Sequence, residues 1–542
     1  MRKLLILLCA ALAATGATAQ NEPPRLVVNI VVSQMRYDLL NKLAANFADN
    51  GFNRFLNGGT SFANADYNYM MTTTPAGLAT LTTGANPSTH GISAMRWVDL
   101  TTAKITTLID DPNVNGLECD AEIGRYSPRH LTTPTLGDHL LTANPDSRSV
   151  TLAADPTSAI VAGGFTGHVY WLDSTRCSWI SSGHYFDALP QWVTRYNKNR
   201  VTDYLLNYQW TQSRPASLYK NKTCTIFEQE SSEPGKLKKL FSFDFLRKHY
   251  VARNFSRVLY TPAGNVLIGE FAKQAIIHEE LGKDNATDLL TVVFDTPRYA
   301  GELFGPESME VEDMYYQLDA VLADLIDFIY TQAGADNVVL MLTSDHGASD
   351  TYDDNKKLPM GRFNAHQFLV IMNGFMNAQY GAGDWVIDYC DRQLFLNRPL
   401  MFSNNLNIEE VQTRVAAFAL QFRGVSHAIT STALQNSYFG DGYGERIQNS
   451  FYPRRSGDVT INLMPGWIEL EGNQLSRTGS MYRYDTHVPL IFLGKGIPAQ
   501  CVSRPVTMTD VAPTLAHIMQ LSPLITAEGS PIAEIVEHFG NQ

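Results

Sequence analysis

Four stretches of the chain are almost continuously apolar and rich in β-branched residues: "RLVVNIVVSQM" (25–35), "DLLTVVFDT" (288–296), "NVVLMLTSDHG" (337–347) and "VPLIFLGKGI" (488–497). A strand buried on both faces reads this way, and such strands belong to parallel sheets covered by helices. Helical patterns separate some of them, above all "VEDMYYQLDAVLADLIDFIYTQ" (311–332), whose apolar residues recur at three- and four-residue spacing. Strand, helix and strand in repetition predict an α/β fold, a doubly wound, mostly parallel sheet with helices on both faces. Sheets of this kind bind ligands beyond the carboxyl ends of their strands. Ser33 and the pair Asp345-His346 stand at such ends.

The pattern is interrupted twice. Residues 151–287 are rich in Tyr, Trp, Asn and Ser with weak periodicity and read as an inserted cap; residues 355–455 form a second insertion with mixed signals. The core then comes in three parts, 25–150, 288–354 and 456–542. A chain of 542 residues with 44% hydrophobic and 18% charged residues has ample material for a large core. The first nineteen residues lie outside it: Arg2 and Lys3 precede "LLILLCAALAA", and "ATA" (17–19) supplies small residues for cleavage. That is the form of a secretory signal peptide, too short to span a bilayer. The expectation is a periplasmic or secreted protein starting near Gln20, without a transmembrane segment.

Charge narrows the partners. The formal net charge of −12 becomes −14 without Arg2 and Lys3, which argues against nucleic acid or an anionic membrane. Beyond Cys9, Cys119, Cys177, Cys224, Cys390 and Cys501 are scattered with no C-x-x-C spacing, so no cysteine zinc site is indicated.

The chemistry begins with "TSDHG": a carboxylate and an imidazole side by side at a strand end suit a divalent metal such as zinc. Alone, such a pair is as well read as a turn Asp beside a satisfied histidine. It has company, however. "TTTPAGLATLTTGANPSTHGI" (72–92) sets hydroxyls before a helix, where free N–H groups favour an anion, and "YDTHVPLIF" puts His487 before another core strand. With "SPRHL", "FGPESMEVEDMY" and "RRSGDV", these stretches resemble the alkaline phosphatase superfamily. Within it they are most similar to the type I phosphodiesterase/nucleotide pyrophosphatase branch, close to the bacterial phosphate-irrepressible alkaline phosphatases.

The resemblance implies two zinc ions and a threonine nucleophile that forms a phospho-enzyme. Carried over by position, Thr74 is the nucleophile, and Asp345, His346 and His487 are metal ligands. Other positions depart. The aspartate expected at the end of the first strand is Ser33. The motif D-x-x-x-H reads "RYAGE", so its aspartate is Arg298 and its histidine Glu302. A phosphate-contacting asparagine is Met95, and two phosphate-binding cations fall on Ala154 and Pro156. Serine is a poor zinc ligand, carboxylate at Glu302 a legitimate one, and a guanidinium has no lone pair to give. At an effective dielectric of 20, Arg298 at ~4 Å would repel a zinc ion by roughly 8 kcal/mol.

Two readings follow. In the first, the chain is a catalytically impaired or inactive relative that keeps an anion-binding pocket. It binds at most one divalent ion, zinc by preference, or none, and its partner is a small phosphorylated or other anionic ligand, or an envelope protein. The alternative is an active phosphate monoester or diester hydrolase with Thr74 as nucleophile, one metal held by Thr74, Asp345 and His346, and Arg298 as a charge clamp on phosphate.

Overall fold

The computed structural model describes residues 22–120, 123–199, 205, 208, 210–222, 227–228, 238–239, 255–353, 360–469, 472 and 474–539. Its centre is a sheet built on five parallel strands. In spatial order these are β7 (Val338–Thr343), β1 (Leu26–Val32), β6 (Asp288–Phe294), β3 (Ser149–Ala153) and β4 (His168–Asp173). On the far side of β7 the sheet continues through antiparallel β8 (Leu490–Gly494) and β2 (Thr60–Asp66), with β9 (Gln500–Thr507) parallel to β2. On the far side of β4 lies antiparallel β5 (Ser178–Ser182).

Alternation along β1 divides the core in two. Val28, Ile30 and Val32 face one apolar cluster, shared with helices α3 (Pro262–His278) and α5 (Met309–Ala333); Val27 and Val31 face another, shared with α1 (Thr74–Thr83) and α2 (Pro156–Gly163). Both faces are therefore covered, which is why β1 is buried at every residue and its sequence shows no polar alternation. α5 starts where Ser308 accepts a hydrogen bond from the Val311 amide, a conventional N-cap.

The segment boundaries differ from those the sequence suggests. β4, β5 and α3 fall within 151–287, yet they belong to the main sheet and its covering layer, so the inserted part is narrower. The strands "HVYWLD" and "SWISS" owe their aromatic character to burial in that core. The second insertion also reaches past residue 455. It holds a four-stranded antiparallel sheet in the order 386–390, 393–396, 459–463, 425–430, and a two-stranded pair of 361–363 with 467–469. The expected signal peptide at 1–19 lies outside the described residues, and among the described residues no helix is long and apolar enough to cross a membrane.

Candidate active site

Parallel register places the carboxyl ends of four strands together. Val31 pairs with Thr343, Val32 with Phe294 and Val293 with Ala153, so Ser33, Asp345, Asp295 and Asp155 emerge at one edge of the sheet. Helix α1 is packed against this edge. Thr73 is extended (φ −102°, ψ 158°), Thr74 is the first helical residue, and Pro75 fixes the first turn. Gly77 sits so close to the end of β7 that a Cβ there would overlap the Asp345 carbonyl oxygen. That approach requires glycine and pins the head of α1 to the metal-motif strand.

Thr74 is consequently buried, and its hydroxyl lies 2.9 Å from His346 Nε2. His346 Nδ1 is 2.7 Å from the Gly347 carbonyl, which can only accept. In the neutral ring Nδ1 therefore carries the hydrogen and Nε2 accepts from Thr74. Thr74 does not cap its helix; its hydroxyl is held by the imidazole, as in a nucleophile–base pair. Asp345 is fully buried and bonded at both oxygens: one accepts from the Ser33 hydroxyl at 2.6 Å and lies 3.4 Å from His346 Nε2, the other accepts from the amides of His346 (2.9 Å) and Gln34 (3.1 Å). Gln34 takes up that position with φ 67°, a left-handed backbone for a non-glycine residue.

The opposite wall comes from α4 (Thr296–Phe304), directly after β6. Arg298 enters the cleft from there and donates to Asp155 at 3.0 Å, with Glu302 at 3.8 Å and the ring of Tyr299 4.4 Å beneath it. Tyr299 also donates to Asp155, at 2.8 Å. Burial opposes the guanidinium's charge, but Tyr299, Glu302 and Asp155 more than offset it and keep its pKa above the ordinary value. Asp295, at the end of β6, accepts from the amides of Ala154 and Asp155, both at 2.9 Å, and from Ser158 at 2.7 Å. Burial, reinforced by the neighbouring Asp155 charge and only partly countered by Arg298, pushes its carboxyl up to about 7.

Thr74, Arg298 and Glu302 thus line one cleft of about 230 Å³, and Met95, Asp155, Asp391, Arg477 and Thr478 line it too. His487 does not. Its Nε2 donates to the Ala63 carbonyl at 2.9 Å, its ring stacks on Tyr37 at 4.5 Å, and it pairs with Asp66 on the outer β2 strand. The expected metal ligand of this stretch is therefore part of the sheet margin. Arg477 and Thr478, nine or ten residues earlier, are what the stretch sends into the cleft, and the chain then turns away at Gly479 (φ 98°). Asp155 was likewise not among the candidates, although "ADPTS" is a legible helix start: its carboxylate accepts from the Thr157 amide at the head of α2. Tyr67, Tyr69, Met70 and Met71 are buried packing residues, with Tyr67 donating to the Ser344 carbonyl at 2.8 Å.

A model of type I phosphodiesterases / nucleotide pyrophosphatases matches residues 27–482. The chain belongs to this family. A protein of Myroides odoratus named a calcium-transporting ATPase is 31% identical over 96% of each chain. Alkaline phosphatase PafA of Elizabethkingia meningoseptica is 30% identical, again over 96% of each. The crystal structure of wild-type PafA superimposes with a TM-score of 0.89, covering 95% of this chain and 99% of that one at 30% identity.

The cleft holds few strong metal donors at the positions where the family resemblance calls for ligands. Its first metal position offers two strong donors, Asp345 and His346, flanked by the hydroxyls of Ser33 and Thr74, where catalytic zinc takes three protein ligands. Both strong donors are already engaged by hydrogen bonds inside the protein. The second position has the carboxylates of Glu302 and Asp155, both facing the Arg298 guanidinium. Among the described residues no three His, Cys, Asp or Glu side chains converge as a metal site. The residues present do not fit a two-metal centre.

Proposed function

We propose that the cleft recognises a phosphate ester or a related small anion without two-metal hydrolysis. The observation that carries this reading is Arg298: a half-buried guanidinium lines the same cleft as Thr74, in the position where the family resemblance calls for a metal ligand. Its two terminal nitrogens lie 3.0 Å from Asp155 and 3.8 Å from Glu302, and a ligand oxyanion would compete with these carboxylates for their N–H groups. The head of α1 adds N–H groups of the correct polarity. Asp155 and Glu302 balance much of the arginine's charge, so binding should be in the micromolar to millimolar range, about 4–8 kcal/mol.

The relatives' names favour a second reading: a phosphate-ester hydrolase with Thr74 as nucleophile and Arg298 as clamp. The orientation of the Thr74 hydroxyl toward His346 supports it, and none of those names speaks for loss of activity. Two measurements on one preparation separate the readings: elemental analysis for bound metal, and hydrolysis of an aryl phosphate monoester and diester. Turnover abolished by Thr74→Ala establishes the hydrolase. Phosphate binding by calorimetry, lost in Arg298→Ala and without turnover, establishes the binding protein. Export belongs to the same proposal, and N-terminal sequencing of mature protein should begin near Gln20.

A further inference from the structure

A cavity larger than the Thr74 cleft lies in the unit that follows β7 and measures about 550 Å³. Drug- and nucleotide-sized ligands occupy pockets of ~300–1,000 Å³, a range this cavity meets and the Thr74 cleft does not. Its wall is aromatic. Trp467 pairs across the short sheet with Gly361, and a Cβ on Gly361 or on Gly424 (φ 95°) would overlap the indole. The ring is therefore clamped between two glycine backbones and cannot be displaced without moving the strands. Phe422 and Phe368 meet edge to face at 4.7 Å beside it.

Two arginines stand over these rings. Arg423 lies 5.5 Å from the Trp467 centroid and Arg362 lies 5.6 Å from that of Tyr352. A guanidinium over a ring can still turn N–H groups to an oxyanion, although one Arg362 nitrogen already donates to the Gly472 carbonyl at 3.5 Å. Asn364 and Gln367 add amide groups, and no carboxylate is among the described lining residues, in a chain of net charge −12. A rigid indole, aromatic edges and a local positive charge define a ligand with a flat ring and an attached anion. We infer that this cavity is a second binding site, independent of the Thr74 cleft, for an aromatic phosphate of nucleoside monophosphate size.

The test uses the full mature chain carrying Thr74→Ala and Arg298→Ala, so that the first cleft does not contribute. Adenosine monophosphate, adenosine and inorganic phosphate are each titrated by calorimetry at low salt. The expected result is adenosine monophosphate binding with a Kd of about 100 µM or tighter, and adenosine and phosphate each at least about tenfold weaker. Adding Arg362→Ala and Arg423→Ala should weaken the nucleotide at least about tenfold, with an unchanged thermal midpoint showing that the fold is intact. Trp467→Phe, which keeps a ring, should retain more binding than Trp467→Leu. No nucleotide binding at 5 mM (roughly the weakest affinity of interest), or binding indifferent to both arginines, overturns the inference.

Discussion

The two clefts contain the same number of arginines and use them differently. In the Thr74 cleft, Arg298 is bonded to Asp155 and faces Glu302, and Asp391 adds a third carboxylate to the lining. In the larger cavity, Arg362 and Arg423 lie on aromatic rings with no carboxylate among the described lining residues. A guanidinium satisfied by acids stabilises a shape; one resting on rings leaves its charge to be answered from outside. The inherited position thus carries a largely neutralised charge, while the additional unit concentrates positive potential.

The strongest way to break this contrast is to restore acid chemistry in the first cleft. Ser33→Asp would set a second buried carboxylate where the serine now donates to Asp345 at 2.6 Å. In chelator this should cost roughly 3–5 kcal/mol, since like charges would be buried without a partner. Zinc should recover the loss by taking both carboxylates. Thermal melts with and without zinc read it directly, and a midpoint indifferent to zinc would mean that no metal position has been rebuilt. Turnover should stay low while Arg298 remains.

Next in size is Arg298→Ala. Removing the cation leaves Asp155 and Glu302 facing each other with side chains 19% and 20% exposed. After allowance for that solvent screening, the loss should be about 1–3 kcal/mol in urea unfolding. The matching change in the second cavity, Arg423→Ala, should cost less than about 1 kcal/mol, because no carboxylate is left behind.

A third measurement concerns pH. The Asp295 carboxyl is raised to about 7 by burial and by Asp155. A raised acid contributes stability that is fully present below its unfolded value of about 3.9 and is lost as pH rises through the folded value. Stability should therefore decline between about pH 4 and 7, and Asp295→Asn should flatten that slope. Unfolding at pH 5 and pH 8 gives the comparison; parallel slopes would place Asp295 among the ordinary carboxylates.

The smallest expected effect is at Met95, 40% exposed on the rim of the Thr74 cleft. Met95→Asn should leave stability within about 0.5 kcal/mol. It should improve phosphate binding by roughly fivefold, through one added hydrogen bond worth ~1 kcal/mol.

The strands of the core were legible because burial on both faces leaves no choice of residue type: 26–32, 288–294, 338–343 and 490–494 lie inside the β-branched runs. Thr74, Asp345 and His346 were legible because each sits at a run's end or a helix's start. Arg298 was found only as a departure from a motif. His487 was misplaced because its neighbours give no sign that the chain turns at Gly479 and leaves the cleft before reaching it. Asp155, Asp391, Arg477 and Thr478 come from three separated segments, and only the folded register brings them to one wall. The strands at 168–173 and 178–182 carry large rings suited to a core, and in sequence those rings read as a cap.

The joint between Gly77 and Asp345 has a consequence for the history of such sites. The head of α1 is held against β7 by backbone contact, so Thr74 keeps its place whatever stands at positions 33, 298 and 302. At the head of α1 this steric demand falls on Gly77, and the side chains at 33, 298 and 302 take no part in it. Within a lineage built on this joint, ligands can be gained or lost one at a time without unfolding the intermediates, and binding and hydrolysis become neighbouring outcomes of one scaffold.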